Sequence, residues 1–327
     1  MSNYFIVGGA GFVGSHLTRA ILEKEDARVT IYDNFSSGRM WHLDEVKDNR
    51  HLEVIEGDIK DDKKLCGSMS GADVVYHLAS NPDIARAVTE PDIDFWEGTY
   101  LTNNVLESMR INRVKSIIYA SGSGVYGDTG MLEVDEDYTP MRPISTYGSS
   151  KLACEAMICS YCFMFDLTAA ALRFANVVGP HQTHGVGYDF VRKLMKDPRE
   201  LEILGDGEQS KSYIYVSDVV SAMRLLERTL PEKGFSCYNV ATLDYLRVVE
   251  IADIVTEIME LKGVKYDFTG GDRGWKGDVP IVRFNTNRIR ELGWSNQYSS
   301  REAITLSVES IYEDARANRF GWEQEAK

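Results

Sequence analysis

Short apolar runs alternate with helix-length amphipathic stretches along the first half of the chain. Buried strands are predicted at residues 4–7, 28–32, 52–55, 74–78, 116–120 and 168–173. The segments between them are long enough for helices, most clearly at 94–109 and 147–165. Strands that alternate with helices in this way predict an α/β fold with a doubly wound parallel sheet. Ligands of such sheets bind at the carboxyl ends of the strands.

The predicted elements fall into two parts, as expected for 327 residues. Residues 1–175 are predicted to form a Rossmann-type domain, and 213–245 are predicted to return to it through a strand at 213–218. Residues 176–212 and 246–327 are predicted to form a smaller, C-terminal substrate-binding domain. Its last part is interpreted as a lid of helices and loops.

Composition narrows the class of protein. Acidic residues outnumber basic ones by 50 to 36, which gives a formal net charge of −14 and argues against a nucleic-acid partner. No unbroken apolar run approaches the ~18 residues of a membrane span, and no signal-peptide pattern precedes the first strand. The five cysteines are odd in number, which fits reduced thiols better than disulfides. A cytoplasmic protein is therefore expected.

A glycine-rich turn follows the first predicted strand. Gly8, Gly11 and Gly14 precede an amphipathic helix, and Asp33 ends the second strand, 19 residues after Gly14. A dinucleotide-binding unit has this same order: a strand, a glycine turn, a helix, a second strand and an acid at its end. An acid at this position binds ribose hydroxyls and repels a 2′-phosphate, which predicts NAD rather than NADP.

Tyr147 and Lys151 stand four residues apart at the start of a predicted helix. This spacing places both side chains on one face. A phenol is a weak base at neutral pH, but a lysine cation beside it favours the phenolate. The pair is therefore a candidate for proton transfer. By itself it could equally be a solvated surface pair.

His181 and His184 raise the question of a metal site. Zinc takes three or four protein ligands, and the other histidines are scattered along the sequence. We therefore predict no metal. A loop histidine that lines a pocket, or an ordinary surface histidine, is the preferred interpretation.

Several further motifs stand at the ends of predicted strands. They are Asp33-Asn34-Phe35-Ser36, Gly57-Asp58-Ile59, His77-Leu78-Ala79, Val125-Tyr126-Gly127-Asp128 and Arg173-Phe174-Ala175-Asn176. Together with the glycine turn and the Tyr–Lys pair, they resemble an extended short-chain dehydrogenase/reductase of the NAD-dependent epimerase/dehydratase family. UDP-glucose 4-epimerase-like members are the most similar. The resemblance extends from about residue 4 to about residue 295.

The resemblance implies a role for each matching position. Tyr147 would be the general base, and Lys151 would hold the nicotinamide ribose. Cofactor-binding positions would be Gly8, Gly11, Phe12, Val13, Gly14, Asp33, Asn34, Phe35, Ser36, Asp58, Ile59, Leu78, Ala79, Tyr147 and Lys151. A nucleotide sugar would be the substrate, with Asn176, Lys211 and Arg273 near its diphosphate. The family usually has Arg where this chain has Lys211, and Arg273 lies in a glycine-rich loop, 270–280.

The implied reaction is 4-epimerisation of a nucleotide sugar through a bound 4-keto intermediate. UDP-glucose and UDP-galactose, or their N-acetyl or uronate forms, are candidate substrates. Dehydratases and decarboxylases of the family carry extra acids just before Val125, where this chain has Ser123 and Gly124. This absence favours epimerisation. A nucleotide-binding regulator with weakened catalysis is the alternative of another class.

The sequence departs from the family pattern at two glycines. Gly122 stands where a catalytic Ser or Thr is usual, so Ser121 or Ser123 is predicted to supply the hydroxyl, with Ser123 preferred. Gly98 stands where an Asn often supports the active-site helix. The geometry at both positions is therefore left open.

The segment 147–165 is apolar almost all round. One face must cover the sheet, and the other face needs a partner. A homodimer that packs through 94–109 and 147–165 would supply it, as the resemblance also implies. An internal contact with a neighbouring helix is the alternative.

Overall fold

The fold is described from a computed structural model of the chain, which covers residues 1–24, 26–230 and 233–322. The strands are β1 (Ser2–Val7), β2 (Ala27–Asp33), β3 (Leu52–Glu56), β4 (Val74–His77), β5 (Ser116–Gly122), β6 (Glu133–Val134), β7 (Thr168–Phe174), β8 (Asn176–Val178), β9 (Glu200–Ile203), β10 (Ser210–Lys211), β11 (Tyr213–Tyr215), β12 (Gly234–Val240), β13 (Leu246–Arg247), β14 (Lys265–Phe268) and β15 (Arg283–Phe284). The α-helices are α1 (Phe12–Lys24), α2 (Asp62–Ser68), α3 (Tyr100–Asn112), α4 (Thr146–Phe165), α5 (Val186–Lys196), α6 (Val216–Arg228), α7 (Val248–Ile258), α8 (Asn287–Glu291) and α9 (Ser300–Arg316).

A seven-stranded sheet forms the centre of the molecule, in the order β12-β7-β5-β4-β1-β2-β3. Every neighbouring pair is parallel. The strand order reverses between β1 and β4, where a doubly wound sheet opens a crevice at its carboxyl end. The predicted α/β, Rossmann-type fold is confirmed.

Three elements differ from the predictions. Residues 213–218 do not enter the main sheet, because β11 pairs only with the short strand β8 and residue 216 already begins α6. The strand that does return is β12, which pairs with β7 and was not predicted. The helix predicted at 94–109 begins with a π-helical turn, Phe95–Thr99, and continues as α3 to Asn112.

The apolar side chains form three clusters. Two of them belong to the central sheet and its covering helices. The third lies under α5, α7 and α9, and draws on residues from Val178 onward. Phe284 and Trp294, from the C-terminal part, belong to a sheet cluster instead. The predicted division at residue 175 stays a prediction.

Candidate functional site

A cavity of about 1220 Å³ opens at the carboxyl ends of the central strands. Its wall includes the glycine turn, the ends of β4 and β5, and the beginning of α4. The lining also includes the segment that leads into α5 and the loop around Gly274. The cavity therefore lies where the sheet topology predicts a ligand-binding site. Two different regions of the chain contribute to its lining.

The glycine turn is closed by backbone contacts that leave no room for side chains. Gly8 has a φ of 81°, and its N–H donates to the Tyr32 carbonyl at 2.9 Å. A Cβ on Gly14 would lie 2.4 Å from the Gly8 carbonyl oxygen, and a Cβ on Gly8 would lie 2.8 Å from the Ala79 nitrogen. These are the close approaches that a pyrophosphate-binding turn requires.

Asp33 ends β2 and is 7 % exposed. Its Oδ2 accepts the Ala10 N–H at 2.9 Å, and its Oδ1 accepts the Phe35 N–H at 2.8 Å. Burial raises the pKa of the Asp33 carboxyl, and the hydrogen bonds from Phe35 and Ala10 oppose that rise. Each carboxylate oxygen still has acceptor capacity for a ribose hydroxyl.

Most of the predicted cofactor positions line the cavity. They are Gly8, Gly11, Phe12, Val13, Gly14, Asp33, Asn34, Ser36, Leu78, Ala79, Tyr147 and Lys151. Within the described chain, the wall does not include Phe35, Asp58 or Ile59. Phe35 packs against the sheet core, and the Ile59 carbonyl accepts the Asn104 side chain at 3.1 Å. For these three residues, cofactor contact stays a prediction.

Tyr147 and Lys151 both lie on the cavity side of α4. The helix is capped by Ser145, whose Oγ accepts the Gly148 N–H at 3.1 Å. Lys151 is 4 % exposed, and its Nζ donates to the Ala120 carbonyl at 2.7 Å. That Nζ lies 5.4 Å from the centre of the Tyr147 ring. The ammonium is therefore held beside the phenol, with two N–H groups left for a ligand.

Ser121 is tied into a buried ion pair behind the cavity. Its Oγ donates to Glu155 Oε1 at 2.5 Å. Glu155 Oε2 accepts Arg173 Nη2 at 2.7 Å, and both side chains are almost fully buried. The sequence analysis missed Glu155, although it follows Tyr147 and Lys151 at the same four-residue spacing. Because its hydroxyl is committed to this carboxylate, Ser121 is the weaker candidate for the catalytic hydroxyl.

Ser123 begins a short 3-10 turn, Ser123–Val125, on the cavity wall. Its hydroxyl makes no hydrogen bond to any described residue. Gly122 is extended, with φ −165°, and a Cβ there would meet nothing within 4 Å. A Cβ on Gly124 would lie 3.2 Å from the Gly148 Cα. Of the two serines, Ser123 is therefore the one that lines the cavity with a hydroxyl that no described residue binds.

The space at Gly98 is filled from the active-site helix. A Cβ on Gly98 would lie 2.3 Å from the Ser150 Oγ. That hydroxyl donates to the Asp94 carbonyl at 2.7 Å and lies 2.9 Å from the Thr99 Oγ1. Ser150 thus supports α4 across the π-helical turn, and Gly98 makes room for it.

The three residues that were predicted to bind the substrate diphosphate lie in different environments. Asn176 and Lys211 line the cavity. Lys211 Nζ donates to Asp278 Oδ1 at 2.6 Å. Arg273 stands just outside the wall, where its Nη2 donates to Asp128 Oδ2 at 2.5 Å and its Nη1 donates to the Asp278 carbonyl at 2.6 Å. Both cations therefore have acidic partners near the cavity.

Three histidine rings pack together beside the glycine turn. They belong to His16, His42 and His181, and are called the histidine cluster. The rings of His42 and His181 are stacked with centres 4.9 Å apart, and His16 lies 5.1 Å from His181. This contact could not be predicted from the sequence, because the rings come from three distant segments. Among the described residues, no group of histidine, cysteine and acidic side chains could hold a metal ion.

The comparisons with known proteins agree with this geometry. The sequence pattern described as the NAD dependent epimerase/dehydratase family matches residues 4–241. This chain belongs to that family. A putative UDP-glucose 4-epimerase from Methanocaldococcus jannaschii is 30% identical over 311 residues, which cover 93% of this chain and 96% of that protein.

A solved UDP-galactose 4-epimerase is similar to this chain in fold and sequence. It superposes with a TM-score of 0.85 at 35% identity, covering 95% of this chain and 99% of its own. Human dTDP-D-glucose 4,6-dehydratase is 26% identical over 98% of this chain and 92% of its own length. Epimerases and dehydratases are thus both among the relatives.

Family membership makes NAD the cofactor, and the cavity fits it. The glycine turn presents backbone N–H groups at the start of α1, and Asp33 ends β2 beside it. Lys151 lies deeper along the same wall. Across the described chain, no helix has both the length and the apolar character of a membrane span.

Proposed function

We propose that this protein is an NAD-dependent UDP-sugar 4-epimerase that acts through a transient 4-keto sugar. The observation that supports this most strongly is the convergence of Tyr147, Lys151 and the free Ser123 hydroxyl on one cavity wall. Residues 121–124 carry no carboxylate, so this segment lacks the extra acid for dehydration or decarboxylation.

Each of these side chains has a distinct proposed task. Tyr147, with the Lys151 ammonium held beside its ring, takes the proton from the sugar 4-hydroxyl and later returns it. The Ser123 hydroxyl hydrogen-bonds the same sugar oxygen and holds it toward Tyr147. Bound NAD supplies the acceptor and donor of hydride.

The other end of the substrate needs an anchor while the sugar turns over. Asn176, Lys211 and Arg273 are proposed to bind the diphosphate, because Asn176 and Lys211 line the cavity and Arg273 stands next to the lining residue Gly274. Binding energy from this remote part keeps the keto sugar in the cavity. The nucleotide is proposed to be uridine diphosphate, as in the named epimerase relatives.

A product assay across a nucleotide-sugar panel tests the proposal. We expect interconversion of UDP-glucose and UDP-galactose, or of their N-acetyl or uronate forms, without consumption of NAD. A 4-keto-6-deoxy sugar as the product would instead indicate a dehydratase, and a decarboxylated pentose would indicate a decarboxylase. Tight NAD binding with no turnover of any sugar would indicate a regulator.

The proposed function also includes the oligomeric state of the protein and its location in the cell. We propose a homodimer through the helices α3 and α4, because Phe163 is 92 % exposed at the end of α4 and Ile111 is 58 % exposed on α3. We also propose a cytoplasmic protein, because all five cysteines are free thiols. Sedimentation at micromolar concentration tests the dimer, and a strictly monomeric profile would contradict it.

A further inference from the structure

Arg273 lies next to the cavity without forming part of its described wall. Its neighbour Gly274 lines the cavity, while the Arg273 guanidinium is bound by the Asp128 carboxylate and the Asp278 carbonyl. Asp128 Oδ1 also accepts the Gly130 N–H at 3.2 Å, which fixes the carboxylate on its own turn. The Arg273 guanidinium could give up this carboxylate and keep its hydrogen bond to the Asp278 carbonyl, at 2.6 Å.

The ion pair is exposed enough to be exchanged. The side chains of Arg273 and Asp128 are 33% and 31% exposed. Pairs of this kind change an equilibrium by no more than about fivefold. A diphosphate carries more charge than a single carboxylate and offers a guanidinium two parallel acceptors. It should displace Asp128 readily.

We propose that Asp128 is a positioning residue that holds Arg273 beside the cavity until Arg273 exchanges this carboxylate for the substrate diphosphate. The inference rests on the proposed function, which places a nucleotide diphosphate at this end of the cavity. Its consequence is that Asp128 competes with the substrate. Removal of the Asp128 charge should therefore strengthen diphosphate binding.

Calorimetric titration of UDP into the NAD-loaded full-length protein tests this exchange. Asp128→Asn should bind UDP about two- to fivefold more tightly than the wild type, because the competing charge is gone. Arg273→Gln should bind UDP at least about tenfold more weakly. In the Arg273→Gln background, Asp128→Asn should have no further effect.

Two controls separate the proposed exchange of Asp128 for the diphosphate from a general effect of protein charge or of misfolding. Asp137→Asn removes another exposed carboxylate that pairs with an arginine, Arg288, and should leave UDP affinity unchanged. Uridine, which lacks phosphate, should bind the wild type and Asp128→Asn equally. The gain in UDP affinity should also shrink as salt is raised, because the pair is exposed.

Each result that contradicts the exchange has its own interpretation. Weaker or unchanged UDP binding by Asp128→Asn would show that Asp128 is a structural support or is inert, and would overturn the exchange. Undiminished UDP binding by Arg273→Gln would overturn it as well. A wild type that binds NAD but not UDP would instead contradict the proposed function itself.

Discussion

The two sides of the cavity are built in different ways. The cofactor side, formed by the glycine turn and the end of β2, is held by backbone. Gly8 and Gly14 leave no room for a Cβ, and the Asp33 carboxylate binds two backbone N–H groups in a buried position. The geometry of this side is therefore fixed before any ligand arrives.

The substrate side, formed by Lys211 and the loop 270–278, is held by side-chain ion pairs. Lys211 binds Asp278, which is 67 residues away, and Arg273 binds Asp128, which is 145 residues away. Such pairs can exchange one acidic partner for another. The protein thus holds its cofactor side by backbone contacts and its substrate side by side-chain ion pairs that can exchange partners.

The largest expected effect on stability and NAD binding tests the cofactor side. In Gly14→Ala, the new Cβ would meet the Gly8 carbonyl at 2.4 Å, and this backbone atom cannot move aside cheaply. We expect a loss of about 1–3 kcal/mol in the free energy of unfolding and severely weakened NAD binding. Chemical denaturation and NAD titration measure the two effects.

Gly274→Ala is the matched variant on the substrate side. Its Cβ would meet the Asp278 Oδ2 at 3.4 Å, close to an ordinary contact. We expect a change within about 0.5 kcal/mol in the free energy of unfolding and unchanged NAD affinity. Equal effects of the two alanines would remove the contrast between the sides.

The two serines at the end of β5 give the next largest effect. Ser123→Ala should lower kcat about tenfold to a hundredfold, since it removes a hydrogen bond to a sugar oxygen that gains charge, and should leave stability unchanged. Ser121→Ala should instead lower the free energy of unfolding by about 1–3 kcal/mol, because Glu155 loses a buried donor.

Steady-state kinetics and denaturation of both serine variants make this comparison. A fall in kcat with Ser121→Ala and none with Ser123→Ala would reverse the assignment. If both variants kept full turnover, neither hydroxyl would be the missing partner at Gly122.

The local geometry of the cofactor side could be predicted from the sequence for a physical reason. Its contacts are local, since strand, turn, helix and acid follow one another along the chain and only glycine fits the turn. The substrate side depends on side chains that meet only after folding, such as Arg273 with Asp128. The strand β12 was missed because its run, 234–240, places Phe235, Tyr238 and Val240 among small and polar residues and shows neither an unbroken apolar stretch nor a regular alternation. Glu155 was missed although helical spacing points to it.

The histidine cluster gives a smaller, pH-dependent effect beside the glycine turn. Burial lowers the pKa of His42 to about 4 and that of His181 to about 3, and the Arg39 and Arg319 cations add to this. The folded protein therefore binds fewer protons than the unfolded chain. Stability should be full above about pH 6.5, the ordinary histidine pKa, and should fall as the pH drops toward 4.

Melting temperature as a function of pH measures this effect. His42→Gln should flatten the decline between about pH 6.5 and 4, because a neutral side chain takes no proton. His51→Gln, on an exposed turn away from the cluster, should keep the wild-type slope. A slope that His42→Gln leaves unchanged would show that other groups cause the acid sensitivity.

The smallest expected effect is a gain. Gly122→Ser restores a hydroxyl at the family position, and both the extended backbone and the open space around Gly122 accept it. We expect unchanged stability and a rise in kcat of about twofold to tenfold. Because Ser123 already supplies a hydroxyl, Gly122→Ser should also rescue Ser123→Ala. Failure of this rescue would show that the two positions are not equivalent.

The most direct test of the account is turnover by Tyr147→Phe, measured with the nucleotide sugar that the wild type converts. The variant keeps the aromatic ring beside Lys151 and loses only the proton-carrying oxygen. We predict that NAD binding is unchanged and that epimerisation falls by about 10²- to 10⁴-fold. Undiminished epimerisation by Tyr147→Phe would contradict the central claim that this phenol moves the proton.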